Sequence, residues 1–198
     1  ELAKLAADSD AGVRYQLAFT IGTWDRPQRI GTLTRLAKSD GADRWMGLAL
    51  MTSLSSGAGA VTERLLADQT FLARIEPAKF LKSLGGQAGA SGNPAEVAQV
   101  LHALDALPPA RGQIRIALIE SMLTGARAAG ASARLRPLLE KSPEASAAME
   151  HMVARALERS ADRSLPTRAR AEAIQSLVFA SLDRVLPILS DTLHTTGD

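Results

Sequence analysis

Apolar residues along the chain recur at intervals of three and four positions, the spacing that places them on one face of an α-helix. In Ala11–Thr23, for example, Val13, Leu17 and Ile21 share a face, and Asp10 stands where an N-cap residue is expected. Similar stretches follow one another at short intervals, and no credible strand pattern interrupts them. The pattern predicts an all-α protein of about eleven helices, packed antiparallel in sequence order because the connections are short.

Six apolar positions near the start of the chain return 31 residues later, which indicates a repeat. The first set is Leu2, Leu5, Ala6, Ala11, Leu17 and Ala18, and the second is Leu33, Leu36, Ala37, Ala42, Leu48 and Ala49. Because the residues between them vary, we interpret all six as packing positions between neighbouring units. The period is clean only over residues 2–54, so we predict a single but irregular array over residues 1–198. The chain opens inside a helical pattern without Met, so we expect a fragment of a larger protein.

Two stretches rich in small residues are predicted to separate helices. Ser53–Gly59 is interpreted as a turn, because a nucleophile elbow needs Gly-x-Ser-x-Gly between a strand and a helix. Gly85–Pro94 is predicted to be a flexible loop and a site of proteolysis. It lacks the Gly-x-Gly-x-x-Gly spacing after a strand, so it is not expected to bind phosphate.

One pattern of residues recurs in part along the chain. Its clearest copy is Leu5-Ala6, Asp8-Ser9-Asp10, Val13-Arg14, Leu17-Ala18 and Ile21-Gly22, with looser copies at Asp43-Arg44-Trp45, Ile114-Arg115 and Ala169-Arg170. This pattern resembles the HEAT-like repeat, in its short variety. The resemblance implies an α-solenoid of antiparallel helix pairs, a HEAT-like or armadillo-type superhelix. The structural repeat positions that it implies are Asp10, Arg14, Asp43, Arg44, Arg115 and Arg170, with Asp10 and Arg14 expected to pair in a ladder between repeats.

A narrower resemblance covers most of the chain. Arg14–Gly22, Asp43–Leu54 and Phe80–Leu107 are similar to the helical middle of large multidomain proteins from planctomycete-type bacteria. Those proteins join a sorbosone-dehydrogenase-like propeller to HEAT-like repeats and a c-type haem domain. The resemblance implies a segment that positions or docks flanking domains of the same polypeptide, outside the cytoplasm. This chain has no Cys-x-x-Cys-His, so any haem c would belong elsewhere in the parent protein.

Composition and charge narrow the possible functions. Hydrophobic residues make up 46% of the chain and aromatic residues 4%, with alanine and leucine, both strong helix formers, prominent among them. The absence of cysteine excludes a disulfide, a thiolate nucleophile and a Cys-ligated metal from this segment. A net charge of +2 supplies no strong field for nucleic acid, and no run of 18 apolar residues predicts a membrane span.

Residues that could carry catalysis or bind a metal do not converge in the sequence. His102 and His151 lie on polar helix stripes and His194 lies near the end of the chain, so all three are interpreted as solvated side chains. Trp24 and Trp45 are interpreted as packing residues, although an exposed Trp would suggest a binding hot spot. We therefore assign no catalytic, metal-binding or cofactor-binding residue.

Three functions remain open after these observations. The leading hypothesis is a non-catalytic scaffold or protein-interaction module. The alternative is nucleic-acid binding through basic helix faces such as Arg127–Arg136 and Arg163–Arg170, which lack interleaved aromatics for base stacking. In the third, the segment contributes residues to an oxidoreductase that is formed by flanking domains.

Overall fold

A computed structural model of the chain describes residues 2–25, 28–73, 77–181 and 183–186. All regular structure in these residues is helical, which confirms the predicted all-α class. Eleven α-helices are delimited in them, close to the predicted number: α1 (Ala11–Thr20), α2 (Gln28–Asp40), α3 (Arg44–Thr52), α4 (Ala58–Leu66), α5 (Gln69–Leu72), α6 (Pro77–Ala90), α7 (Pro94–Asp105), α8 (Gly112–Ala128), α9 (Ser132–Leu139), α10 (Pro143–Ala161) and α11 (Thr167–Ser176). Four short 3-10 helices accompany them: Leu2–Ala7, Ile21–Thr23, Pro109–Arg111 and Leu177–Phe179. The helix predicted at Val185–Leu193 lies mostly outside the described residues.

Short polar side chains begin several of these helices, as the sequence predicts for α1. Asp10, Asp43, Asp68 and Asn93 accept hydrogen bonds from backbone N–H groups in the first turns of α1, α3, α5 and α7. Each provides an acceptor for N–H groups that have no partner within the helix. Gly57, with φ +93°, ends the predicted turn over Ser53–Gly59 and leads directly into α4.

The described residues fall into two compact units, one that ends at Ala131 and one that begins at Ser132. In the first unit α1 packs on α3, α3 on α6, and α6 on α8. A second series runs beside it, in which the 3-10 helix Leu2–Ala7 packs on α2, α2 on α4, and α4 on α7. The helices of this unit thus form two adjacent rows, which we call the α1–α3–α6–α8 row and the α2–α4–α7 row.

The second unit is described by itself. In it α10 packs on α11, and α9, α10 and α11 all contact the 3-10 helix Leu177–Phe179. Its buried apolar residues include Leu135, Leu139 and Val153, each at most 1% exposed. The single array over residues 1–198 and its superhelical form stay predictions.

Only some of the apolar positions that recur after 31 residues are buried. In two pairs both members are buried, Ala6 with Ala37 and Ala18 with Ala49. The expectation that all six positions are packing positions is wrong, because Ala11 and Ala42 are exposed and Leu48 is 52% exposed although its counterpart Leu17 is buried. Ala11 and Ala42 stand at helix starts, away from the buried stripe. Leu48 lies on the side of α3 opposite the buried Met46 and Leu50.

The predicted loop over Gly85–Pro94 is also wrong, because α6 continues to Ala90 and only residues 91–93 separate it from α7. Gly85, Gly86 and Gly89 of this stretch lie against α8. A Cβ atom on Gly89 would stand 2.0 Å from the carbonyl oxygen of Met122, and one on Gly125 would stand 2.0 Å from that of Gly86. Glycine weakens a helix by about 1 kcal/mol relative to alanine. Here the absence of side chains lets the two backbones meet, and this tertiary contact outweighs the local preference.

Candidate functional site

The large apolar side chains that stay exposed on the α-helices of the first unit are concentrated on one row. Tyr15 and Phe19, one turn apart on α1, are 37% and 54% exposed. Trp45 and Leu48 on α3 are 61% and 52% exposed, and Ile116 on α8 is 52% exposed. In the described part of the α2–α4–α7 row no α-helix carries one, although Leu2 of the 3-10 helix that packs on α2 is 50% exposed. Clustered exposure of apolar side chains marks an interaction surface, whereas scattered exposure needs no explanation.

The exposure of Trp45 corrects its interpretation as a packing residue. α3 buries Met46, Ala49 and Leu50, so Trp45 and Leu48 project from the other side of the helix. The guanidinium carbon of Arg44 lies 5.4 Å from the centroid of the Trp45 ring, within the range of a cation–π contact. Trp45 therefore fits the alternative interpretation, in which an exposed Trp suggests a binding hot spot.

Beside Leu48, helices α3 and α6 border a cleft of about 640 Å³, which we call the α3–α6 cleft. It is lined by Gly41, Ala42, Asp43, Arg44, Gly47, Leu48, Met51, Lys79, Phe80 and Ser83. Gly47 contributes depth, since a Cβ atom there would find its nearest neighbours only at 3.5 Å and 3.8 Å. The lining therefore combines an apolar floor with charged residues at the ends of the helices.

A second cleft of about 610 Å³ lies between α6 and α8, and we call it the α6–α8 cleft. It shares Met51 and Ser83 with the first, so the two adjoin on the same row of helices. Its lining residues are mostly small, with Lys82, Gln87 and Glu120 among them, and the surface that they expose to the cleft is mostly apolar. The row thus carries exposed apolar side chains on α1, α3 and α8, together with two adjoining clefts.

Three cations at these clefts have no carboxylate partner. Arg44, Lys79 and Lys82 make no ion pair within the described part of the chain. Asp43 lines the α3–α6 cleft, but its Oδ1 accepts from the backbone N–H groups of Trp45 and Met46 at 2.9 Å and 2.8 Å. The cations are therefore available to a negatively charged partner.

Two of the arginines predicted as repeat positions bind the carbonyl end of the preceding helix. Each is the fourth residue of its helix, Arg115 in α8 and Arg170 in α11. Arg115 Nη2 donates to the carbonyl oxygens of Leu104 and Leu107 at 3.1 Å and 2.9 Å, and Arg170 Nε donates to that of Ser160 at 3.0 Å. A cationic donor at a helix C-terminus satisfies free carbonyls and complements the helix dipole. Sequence reasoning found these positions but looked for acidic partners.

Arg14, the fourth residue of α1, pairs with Asp40 and not with Asp10 as predicted. Its Nε donates to Asp40 Oδ2 at 2.9 Å and its Nη2 to Asp40 Oδ1 at 2.8 Å. Its Nη1 donates to the carbonyl oxygens of Asp8 and Ser9 at 2.7 Å and 3.2 Å. The pKa of Asp40 is lowered mainly because its carboxylate accepts hydrogen bonds from Arg14. The same hydrogen bonds raise the pKa of Arg14. Asp10 instead acts as the N-cap of α1.

Similarity to other proteins does not assign this surface a function. Comparisons with protein-family models, curated proteins and solved structures find no match to this chain. The resemblance to HEAT-like repeats and to a planctomycete-type parent protein stays a prediction. What the row binds has to be inferred from its own residues.

His102, the described histidine of the first unit, lies on α7 and not on the α1–α3–α6–α8 row. The His102 side chain on α7 is 81% exposed and its Nδ1 is 3.9 Å from Glu63 Oε1, His151 is exposed, and His194 lies outside the described residues. No group of three or more His, Cys, Asp or Glu side chains in the described residues is placed to hold a metal ion. Across the same residues, no helix has both the length and the hydropathy to cross a bilayer.

Proposed function

We propose that this chain is a non-catalytic helical-repeat scaffold that binds protein through its α1–α3–α6–α8 row. The observation that carries the proposal is the concentration of exposed Tyr15, Phe19, Trp45, Leu48 and Ile116 on that row. Exposing these side chains to water is unfavourable unless a partner covers them, and aromatic residues dominate the binding energy of protein interfaces.

The packing order of the first unit supports a solenoid. Each helix of a row packs on the next helix of the same row, so contacts stay between neighbours along the chain. In a solenoid such a row forms one continuous surface, which is the part of the array that binds partners. The proposal therefore includes a HEAT-like, armadillo-type superhelix. Its support is this packing order and the recurrence of apolar positions after 31 residues.

We place the partner among the flanking domains of the same polypeptide. The support is the sequence resemblance of Arg14–Gly22, Asp43–Leu54 and Phe80–Leu107 to the helical middle of multidomain proteins. The same resemblance is the basis for a location outside the cytoplasm and for a parent protein with c-type haem. In this proposal the chain positions such domains and does not itself take part in their chemistry.

Nucleic-acid binding is the second candidate and is less well supported. Two arginines of the basic stretches are engaged by acidic neighbours, Arg136 with Glu140 at 2.6 Å and Arg168 with Glu172 at 3.1 Å. Paired cations release fewer counterions on binding phosphate, and the net charge is only +2. These observations favour the protein partner.

Site-specific photo-crosslinking tests the proposal. Benzoylphenylalanine replaces Leu48 on the row or, as a control, Val178 in the second unit, which is 51% exposed. In cells that express the chain within its native polypeptide, we expect position 48 to crosslink to a defined protein segment and position 178 to give no such product. Trp45→Ala should reduce crosslinking from position 48. Equal products from both positions, or no protein product from position 48, would contradict the proposal.

A further inference from the structure

The α3–α6 cleft has the lining of a peptide-binding groove. Leu48, Met51 and Phe80 give it an apolar floor, and Arg44 and Lys79 add two cations. Its volume of about 640 Å³ falls in the usual range for sites that take up a ligand group. The apolar floor favours the binding of large apolar side chains from a partner.

The charges at the cleft favour an acidic partner. Arg44 and Lys79, together with Lys82 in the adjoining cleft, are exposed and make no ion pair in the described part of the chain. The acidic residues that line the two clefts are Asp43, which is held as a helix cap, and Glu120 on α8. Cations beside an apolar wall bind carboxylates more strongly than cations surrounded by water.

We infer that the α3–α6 cleft binds an acidic amphipathic segment of a partner protein, in which large apolar side chains stand next to Asp or Glu. This inference rests on the proposed function. The apolar side chains enter the cleft beside Leu48 and Phe80, and the carboxylates meet Arg44 and Lys79. Trp45, the exposed chain neighbour of the cleft residue Arg44, covers the segment where it leaves. A protein segment fits this lining better than nucleic acid, because the floor is apolar and accepts large apolar side chains.

The test begins with the whole 198-residue chain and a bacteriophage library that displays random 12-residue peptides. Selected peptides should be enriched in Asp and Glu next to Leu, Phe or Trp. Their dissociation constants are then measured by fluorescence anisotropy at about 0.05 M and about 0.5 M NaCl, since exposed ion pairs weaken with salt. Parallel titrations use a single-stranded oligonucleotide as the probe.

Two cleft variants and two matched control variants test whether binding depends on the charge and on the depth of the cleft. Lys79→Glu with Lys82→Glu should weaken peptide binding about tenfold or more at low salt and much less at high salt. Gly47→Leu should fill the cleft and weaken binding about tenfold at both salt concentrations. Gly47→Ala, whose Cβ has room, and Lys141→Glu, on an exposed residue of the second unit, should leave binding unchanged. If circular dichroism shows that Gly47→Leu does not fold, the variant with Lys79→Glu and Lys82→Glu alone tests whether the peptide binds at the cleft.

The outcomes separate the inference from the proposed function. Peptides without acidic enrichment, or peptides that bind Gly47→Leu and the charge variant as tightly as the original chain, would overturn the inference. If their binding still requires Trp45 and Leu48, the proposed function stands. The absence of any selected peptide, or binding of the oligonucleotide alone, would overturn both.

Discussion

The buried carboxylate of Glu96 in α7 accepts a hydrogen bond from the backbone N–H of Gly59 in α4 at 2.8 Å. It also accepts from the N–H of Gly57, so a side chain from another helix caps the start of α4. Gly57 has no side chain with which to provide that cap itself. The contact therefore ties two neighbouring helices of the α2–α4–α7 row through a charged acceptor.

Glu96→Ala should lower the free energy of unfolding by about 2 kcal/mol, because two backbone donors lose a charged acceptor in a buried position. Glu96→Gln should have an intermediate effect, since its amide oxygen can replace one acceptor oxygen but its NH₂ group cannot replace the other. Urea unfolding followed by circular dichroism measures both. Glu63→Ala, on a half-exposed residue of α4, is the control, and an equal loss in that variant would contradict the assigned role.

Asp40→Asn should change how stability depends on pH. The pKa of Asp40 is lower in the folded chain because Arg14 donates hydrogen bonds to its carboxylate. Ionised Asp40 therefore stabilises the fold above its unfolded pKa, and this contribution is lost as the pH falls through its folded pKa. The variant should be less stable at neutral pH and should lose less additional stability on acidification. Urea midpoints measured from neutral to acid pH check this, and Asp25→Asn, on an exposed carboxylate, should keep the original profile.

Arg115→Ala should cost about 2 kcal/mol in the free energy of unfolding, because the carbonyl oxygens of Leu104 and Leu107 lose a charged donor. Arg35→Ala, an exposed arginine of α2 without such contacts, should change it by less than about 0.5 kcal/mol. Thermal and urea unfolding compare the two. If both arginines prove equally dispensable, the carbonyl contacts of Arg115 contribute nothing to stability.

Gly89→Ala should destabilise the fold by about 3 kcal/mol or more, since its Cβ would overlap the Met122 carbonyl and force α6 away from α8. Gly86→Ala lies one turn away on the same helix, and its Cβ would meet only the Ser121 carbonyl at 3.7 Å. It should be neutral or stabilise by up to about 1 kcal/mol through helix propensity. Equal effects of these two variants on the urea midpoint would contradict the close approach.

The all-α class could be predicted from the sequence because it depends on local information. Apolar spacing and short capping residues such as Asp10 act within one or two turns, so they determine helices wherever those occur. Arg14 and Arg115 were predicted as structural residues from the resemblance to HEAT-like repeats, and not from the apolar spacing.

What the sequence could not predict depends on residues that are distant in the chain. Asp40 lies 26 residues after Arg14, so local spacing suggested Asp10 in its place. The sequence predicts Trp45 as a packing residue, whereas on α3 it is 61% exposed. Gly85–Pro94 was assigned to a loop because the matching glycine, Gly125, is far away in sequence. The errors at Arg14 and over Gly85–Pro94 arose from tertiary contacts that override a local preference.

The glycine seam between α6 and α8 has a mechanical consequence. Where side chains separate two helices, they can change rotamer and absorb small displacements. At Gly89 and Gly125 the backbones meet directly, and no such spacer exists to absorb movement. A displacement of α6 must therefore carry α8 with it, and α6 also forms one wall of the α3–α6 cleft. We therefore expect α6 and α8 to move together, so that a displacement of α6 at the α3–α6 cleft also changes the shape of the α6–α8 cleft.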